Sequence, residues 1–371
     1  MEKLKLLLVE DESLNDYQRR IKAYNLESSV QVEPVPCADY NQAVRMLDDS
    51  NNSFDGAIID LKLSKDAKYE GKELINRVKK GLRFPVFVLT GNPEQIEDQK
   101  AFQTDFFQIR TKGDTPGRLE EILGDLVKLH QTGITKILGG KGQIEGYLND
   151  IFWNHISNSI GYWVADSKRD SQEKQQSLLR YALSHVQEYL NLDGTGLSQN
   201  YHPAEFFITK PVKRYVYTGD LIKFEAGERS LVLSPACDLE IHGASCNADN
   251  ILLLKVRDWK DLDARFSGLN KDTGKANENR ARLERWFANP NQRYHYIPNS
   301  NGIEAGFIDF QDKKTMSLTV FNQEMKDGKL QRLATVSSPF LKDIIARHSS
   351  YYARQGSPDF DGGELYDILF K

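Results

Sequence analysis

Along the first 130 residues, short apolar runs alternate with segments whose apolar residues recur every three or four positions. The runs are Leu4–Val9, Phe54–Ile59, Pro85–Leu89 and Phe106–Thr111. Runs this short and rich in β-branched residues predict strands buried on both faces, as in a parallel sheet covered by helices. Between them, Ser13–Leu26 begins with a serine N-cap and carries Tyr17, Ile21 and Tyr24 at helical spacing. Asp39–Asp48 places Ala43, Val44 and Leu47 on one face, and Gly71–Lys80 does the same with Leu74, Ile75 and Val78. Glu94–Gln103 and Gly117–His130 complete a five-fold alternation, which predicts an α/β domain with a doubly wound parallel sheet over residues 1–130.

Beyond residue 130 the pattern changes. Thr132-Gly133 and Leu138–Gly142 read as a turn-rich junction, followed by two long amphipathic segments, Ile144–Ile160 and Asp170–Leu190. Their apolar stripes are wide, so each must pack against something, and a helical hairpin or a dimer made through it satisfies that. Residues 131–200 are therefore expected to be a helical linker or dimerisation segment. His155 and His185 lie on or near the stripes and read as packed histidines rather than metal ligands. From Tyr201 onward the pattern is β-rich, with strands expected at Val212–Tyr217, Leu221–Phe224, Ser230–Leu233, Ile251–Val256, Tyr294–Ile297, Ala305–Asp309 and Ser317–Phe321. Residues 201–371 thus predict a mainly β, barrel-like α+β domain, with a charged helical insertion over 258–287. A helix from Ser338 to Tyr352 closes at Gly356 and Pro358.

A length of 371 residues fits two or three domains. The net charge of −4 resides in residues 1–130, where 19 Lys and Arg face 23 Asp and Glu; the remainder balances at 30 against 30. Without a basic excess, a dedicated DNA-binding domain is not expected, and the link at Gly161–Arg169 lacks the tight glycine turn of a helix-turn-helix. Cys37, Cys237 and Cys246 are too few and too scattered for a disulfide framework. No leader-like segment is present, and no stretch approaches the roughly 18 apolar residues of a membrane span, so a cytoplasmic protein without membrane contact is expected.

The ends of the first four strands carry the candidate chemistry. Leu4–Val9 runs into Glu10-Asp11-Glu12, Ile58-Ile59 into Asp60, Val88-Leu89 into Thr90, and Phe106–Thr111 into Lys112. Ligands of parallel sheets gather beyond the carboxyl ends of the strands, so these groups are expected on one rim. Paired carboxylates with a third suit Mg²⁺, a hard cation that prefers oxygen. The metal and Lys112 can neutralise an incoming phosphoryl group while Asp60 takes it as nucleophile, and the Thr90 hydroxyl can bond a phosphoryl oxygen.

These motifs, Val-Glu-Asp-Glu at 9–12, Ile-Ile-Asp-Leu at 58–61, Leu-Thr-Gly at 89–91 and Lys112, resemble the receiver domain of bacterial two-component response regulators. The resemblance covers residues 1–130 and implies a flavodoxin-like, five-stranded parallel fold. It also implies a phosphoacceptor Asp60, Mg²⁺-binding acids Glu10 and Asp11 beside Asp60, a switch hydroxyl on Thr90 and a phosphate-pairing Lys112. The partner it implies is a sensor histidine kinase or phosphotransfer protein; a homodimer would form through the receiver or through helices 144–190. Three departures stand out. Gly113 follows Lys112 where the family usually has proline, Ile109 stands where it usually has an aromatic, and the loop Lys62–Asp66 lacks the usual proline. Phosphoacceptance is expected to survive these changes, and the relay of the signal to differ.

In the β-rich half, Leu233–His242 puts Cys237 and Asp238 at a turn. Cys237, His242 and Cys246 have irregular spacing and no fourth partner, so zinc is not expected, and Cys237 reads as structural beside a turn-capping Asp238. Gly219-Asp220, Glu228-Arg229 and Leu231–Ser234 resemble the opening of the SH3-like barrel of the MazF/PemK toxin ribonucleases, which implies Arg229 and Ser234 near an RNA-cleaving groove. Two outputs therefore stand: an interaction module controlled by the receiver, which we prefer, and a receiver-gated effector enzyme.

Overall fold

The computed structural model describes residues 2–49, 53–63, 70–91, 93–96, 103–113, 118–191, 200–243, 245–269, 278–356 and 358–371. The chain divides into two compact units, Met1–Leu197 and Ser198–Lys371.

The first unit is built on β1 (Glu2–Val9), β2 (Val30–Cys37), β3 (Gly56–Ile59), β4 (Val86–Thr90) and β5 (Phe107–Thr111), all parallel in the order β2-β1-β3-β4-β5. Successive residues of a strand point to opposite faces, and both faces are apolar. Leu4, Leu6, Leu8, Ile58 and Phe87 pack under the helices α1 (Leu14–Asn25) and α4 (Leu119–Gln131). Leu7, Val9, Ala57, Ile59 and Val88 pack under α2 (Tyr40–Asp48) and α3 (Glu70–Gly81). This is the flavodoxin-like, doubly wound sheet that strand–helix alternation predicts. β2 is the strand the apolar pattern did not reveal, because Pro34 and Pro36 interrupt it. Prolines are tolerated there because β2 is the sheet's edge, where one side has no ladder to complete. Of the expected helix Glu94–Gln103, Pro93–Ile96 forms a single 3₁₀ turn, and residues 97–102 lie outside the described residues, as do 64–69 and 114–117.

Behind α4, Gln143–Asp150 begins one arm of a helical hairpin, which widens to a π-helical turn at Ile151–Ile156 and continues to Ala165; Ser171–Asn191 is the other arm. The arms meet at an aromatic seam in which the His155 and His185 rings lie 4.7 Å apart and His155 Nε2 is 3.0 Å from the Tyr189 hydroxyl.

The second unit is a curled, seven-stranded antiparallel sheet in the order β10-β11-β9-β8-β7-β12-β6. Its strands are β6 (Phe207–Thr209), β7 (Asp220–Phe224), β8 (Arg229–Val232), β9 (Asn250–Arg257), β10 (Tyr294–Ile297), β11 (Gly306–Ser317) and β12 (Leu330–Val336). Two expectations are corrected. Val212–Tyr217 is not a strand: Glu240 accepts hydrogen bonds from Lys213 Nζ (3.0 Å) and the Tyr215 hydroxyl (2.9 Å), and Lys213 sits over the Tyr217 ring. The strands expected at Ala305–Asp309 and Ser317–Phe321 are instead one long strand, β11, followed by a helix at Leu318–Lys326. Leu318, Phe321 and Met325 recur at helical spacing on its packed side. The 258–287 segment holds two 3₁₀ turns and the helix Glu278–Phe287, with 270–277 outside the described residues. No helix among the described residues is long and apolar enough to cross a membrane.

Candidate functional site

Parallel strands deliver their last residues side by side, and main-chain hydrogen bonds carry that register one residue past the sheet. The Asp60 N–H donates to the Val9 carbonyl (2.9 Å), the Glu10 N–H to Cys37 (3.1 Å) and the Lys112 N–H to Thr90 (2.9 Å). The side chains converge accordingly. Lys112 Nζ donates to Asp60 Oδ2 at 2.8 Å and to Glu10 Oε2 at 2.9 Å, while Asp60 Oδ1 accepts from the Leu61 N–H at 2.7 Å. Glu10 Oε1 accepts from the N–H groups of Glu12 (3.2 Å) and Ser13 (3.1 Å). This corrects the expected cap of α1: the Ser13 side chain makes no capping bond, and Glu10 takes up the N–H groups that precede the helix instead. Glu10, Asp60 and Thr90 are buried, and Asp11 is half-buried.

Two positive-charge effects compete at Lys112. Burial pulls the ammonium's pKa down, but the bonds to Asp60 and Glu10 outweigh that and hold it well above the ordinary lysine range. It stays charged beside the acids. One oxygen each from Glu10, Asp11 and Asp60 fall within 4.8 Å of one another. Three carboxylates and no nitrogen or sulfur form a hard donor set that fits Mg²⁺.

Two residues of this neighbourhood escaped sequence reasoning. Tyr17, expected as core, is buried next to the cluster; burial raises its phenol pKa and the Glu10 and Asp60 charges add to that, with Lys112 opposing. Gly71 brings the first turn of α3 onto the backbone of Asp60 and Leu61, where a Cβ would lie 2.6 Å from the Asp60 carbonyl oxygen. A helix-disfavoured glycine at the first position of the expected helix Gly71–Lys80 was the available signal. Gly113 has φ +93°, which a proline ring cannot reach, so glycine at this place follows from the turn after Lys112. Ile109 packs against the sheet's core.

Among the candidates in the second unit, Arg229 and Ser234 stand toward opposite ends of β8. Arg229 opens β8 and Ser234 lies past its far end, about 15 Å away along an extended chain. The Arg229 guanidinium donates to the carbonyls of Glu304 and Ala305, so it is taken up in holding a loop. Ser234 is buried, its hydroxyl accepting from the Leu252 N–H (2.8 Å). Cys237 is exposed, 3.6 Å from the Asp238 carboxylate, and both lie in the short helix Ala236–Leu239, whose N-cap position is Pro235.

No family model and no curated protein matches the chain. Solved structures similar to it include the receiver domain of the Francisella response regulator 1452, at 19% identity and a TM-score of 0.26 over 35% of this chain and 98% of that one. Another is the receiver domain of the sensor histidine kinase PA1611 from Pseudomonas aeruginosa PAO1, solved with a magnesium ion in its active-site cleft (26% identity, TM-score 0.25, 34% of this chain and 97% of that one). A third is the phosphorylated cyanobacterial phytochrome response regulator RcpA (26% identity, TM-score 0.25, 37% and 94%). The first sheet is itself five-stranded, parallel and doubly wound, in the order β2-β1-β3-β4-β5. Each of these three matches spans about a third of this chain.

Proposed function

We propose that residues 1–130 are a phosphoacceptor receiver that controls residues 201–371 as an interaction module. The observation that carries this reading is the Lys112 ammonium held between Asp60 (2.8 Å) and Glu10 (2.9 Å), with Asp11 in the same carboxylate cluster. In the proposed reaction an Asp60 carboxylate oxygen attacks the phosphorus of a phosphohistidine or an acyl phosphate. A carboxylate O–P bond forms, the donor's N–P or O–P bond breaks, and the bonding pair leaves with the donor. Lys112 keeps its proton throughout and supplies fixed positive charge where the phosphoryl oxygens arrive. Thr90, on the neighbouring strand end, is the hydroxyl that bonds one of them. Glu10, Asp11 and Asp60 would hold Mg²⁺, which when bound offsets charge on the transferred group. The donor chemistry points to a sensor histidine kinase or phosphotransfer protein as partner.

Acetyl phosphate with Mg²⁺ tests the assignment. Intact-mass measurement is expected to find one added phosphoryl group on the full chain, none on Asp60→Asn, and none when Mg²⁺ is chelated. Equal labelling of the Asp60→Asn variant would sink the assignment.

A further inference from the structure

The helical hairpin leaves about half of its apolar residues exposed and most of the rest half-buried. Among the described side chains of Gln143–Ala165 and Ser171–Asn191, Ile151 alone is buried. On the longer arm, Tyr181, His185 and Tyr189 face the other arm: the Tyr181 ring lies 5.2 Å from Trp163, and the Tyr189 ring 5.2 Å from Tyr147. A different line of the same helix carries Leu179, Leu183 and Leu190, exposed at 61%, 57% and 66%. With Val186 between them, the spacing is four, three, four, the alternation that keeps a stripe facing a partner helix in a coiled coil. The shorter arm adds Phe152 and Trp153, 55% and 63% exposed.

We propose that the Leu179–Leu183–Val186–Leu190 seam packs against the same seam of a second copy of this chain, turning two hairpins into a four-helix bundle. An apolar seam of three leucines and a valine at heptad spacing can pack against its own copy, which is what a two-fold interface requires. The positions flanking it are Arg180, Ala182, Gln187 and Tyr189, so no row of like charges opposes pairing. At roughly 100 Å² per exposed leucine the seam alone offers on the order of 300 Å² of apolar surface per copy, so positions flanking it on the two arms must supply the rest of the ~800 Å² per partner of a stable interface. This inference goes beyond the phosphoacceptor reading and does not depend on it.

Sedimentation equilibrium of the full chain decides it, with Leu179→Glu/Leu183→Glu as the variant and circular dichroism as the check on its helices. The wild type is expected to be a dimer. Because both positions are exposed within the protomer, the variant is expected to keep its helical signal and to dissociate with a constant at least 100-fold higher. Its labelling by acetyl phosphate is expected to match the wild type, which separates failure of this interface from failure of the phosphoacceptor. A wild type that stays monomeric at its highest soluble concentration overturns the proposal. So does a variant that remains dimeric, or a monomer whose Leu183 is shielded from hydroxyl radicals, which would mean that another part of the same chain covers the seam.

Discussion

Replacing Gly71 with alanine adds one methyl group where the first turn of α3 meets the segment that follows β3. That methyl would lie 2.6 Å from the Asp60 carbonyl oxygen, 2.6 Å from the Leu61 Cα and 2.8 Å from the Leu61 carbonyl oxygen. All three are backbone atoms, so no side chain can swing aside. Either the helix or the Asp60–Leu61 segment must move. Two energies compete in Gly71→Ala. Alanine is the better helix former by about 0.8–1.0 kcal/mol in a helix interior, and by less in a first turn. Forcing an extra carbon into a filled site costs about 1–3 kcal/mol. The second dominates, and we expect a net loss of about 1 kcal/mol or more from the first unit.

The displacement matters more to the chemistry than to the stability. Asp60 holds one oxygen on the Leu61 N–H and the other on Lys112, so a shift of this segment turns the carboxylate away from its cation. A misplacement of about 1 Å costs on the order of 100-fold in rate, and half of that about 10-fold. The initial rate of labelling by acetyl phosphate, read together with urea unfolding of the full chain, measures both effects. We expect labelling slowed at least about 10-fold with a lower unfolding midpoint. A variant that labels at the wild-type rate and unfolds no earlier would refute the claim that this close approach positions Asp60.

Two further predictions concern the second unit. His295 is buried on β10; burial holds its pKa down to about 3, the charge of Arg347 adds to that, and Asp343, 3.6 Å away, is too exposed to offset it. The unfolded chain takes a proton near pH ~6.5 that the folded unit refuses, so stability falls as pH drops from ~6.5 toward 3, by about 1.4 kcal/mol per pH unit. His295→Gln should flatten that slope in urea titrations at several pH values, and an unchanged slope would contradict a neutral buried ring. Arg229→Ala removes the donor to the Glu304 and Ala305 carbonyls and should cost about 1–3 kcal/mol in the same titration. Stability equal to the wild type would mean that the guanidinium does not hold this loop, and would reopen a role for it in binding.

The two halves of this protein differ in whether neighbouring strands end side by side, and that difference explains what could be read before the structure. Glu10, Asp60, Thr90 and Lys112 each stand at, or one residue past, the end of an apolar strand, so locating the strands locates the cluster. Only the order of parallel neighbours had to be supplied. β2 was missed because its prolines break the local pattern, and what it gives the candidate site is a main-chain group, the Cys37 carbonyl that anchors the Glu10 N–H. Arg229 had the same local setting, a charged residue at a strand end. Its partners, however, are carbonyls at 304 and 305, and no nearby residue signals them. β6 likewise pairs with β12, more than a hundred residues later, and β11 joins β9 to β10 across an irregular register. Val212–Tyr217 had the composition of a strand but pairs with none; Lys213 lies over the Tyr217 ring and the Tyr215 hydroxyl donates to Glu240 instead. A charged residue at a strand end therefore points to chemistry only where the neighbouring strands end beside it. In the first unit the sheet is parallel and they do; in the second it is antiparallel, alternate strands run the other way, and the same signal marks a brace between a strand and a distant loop.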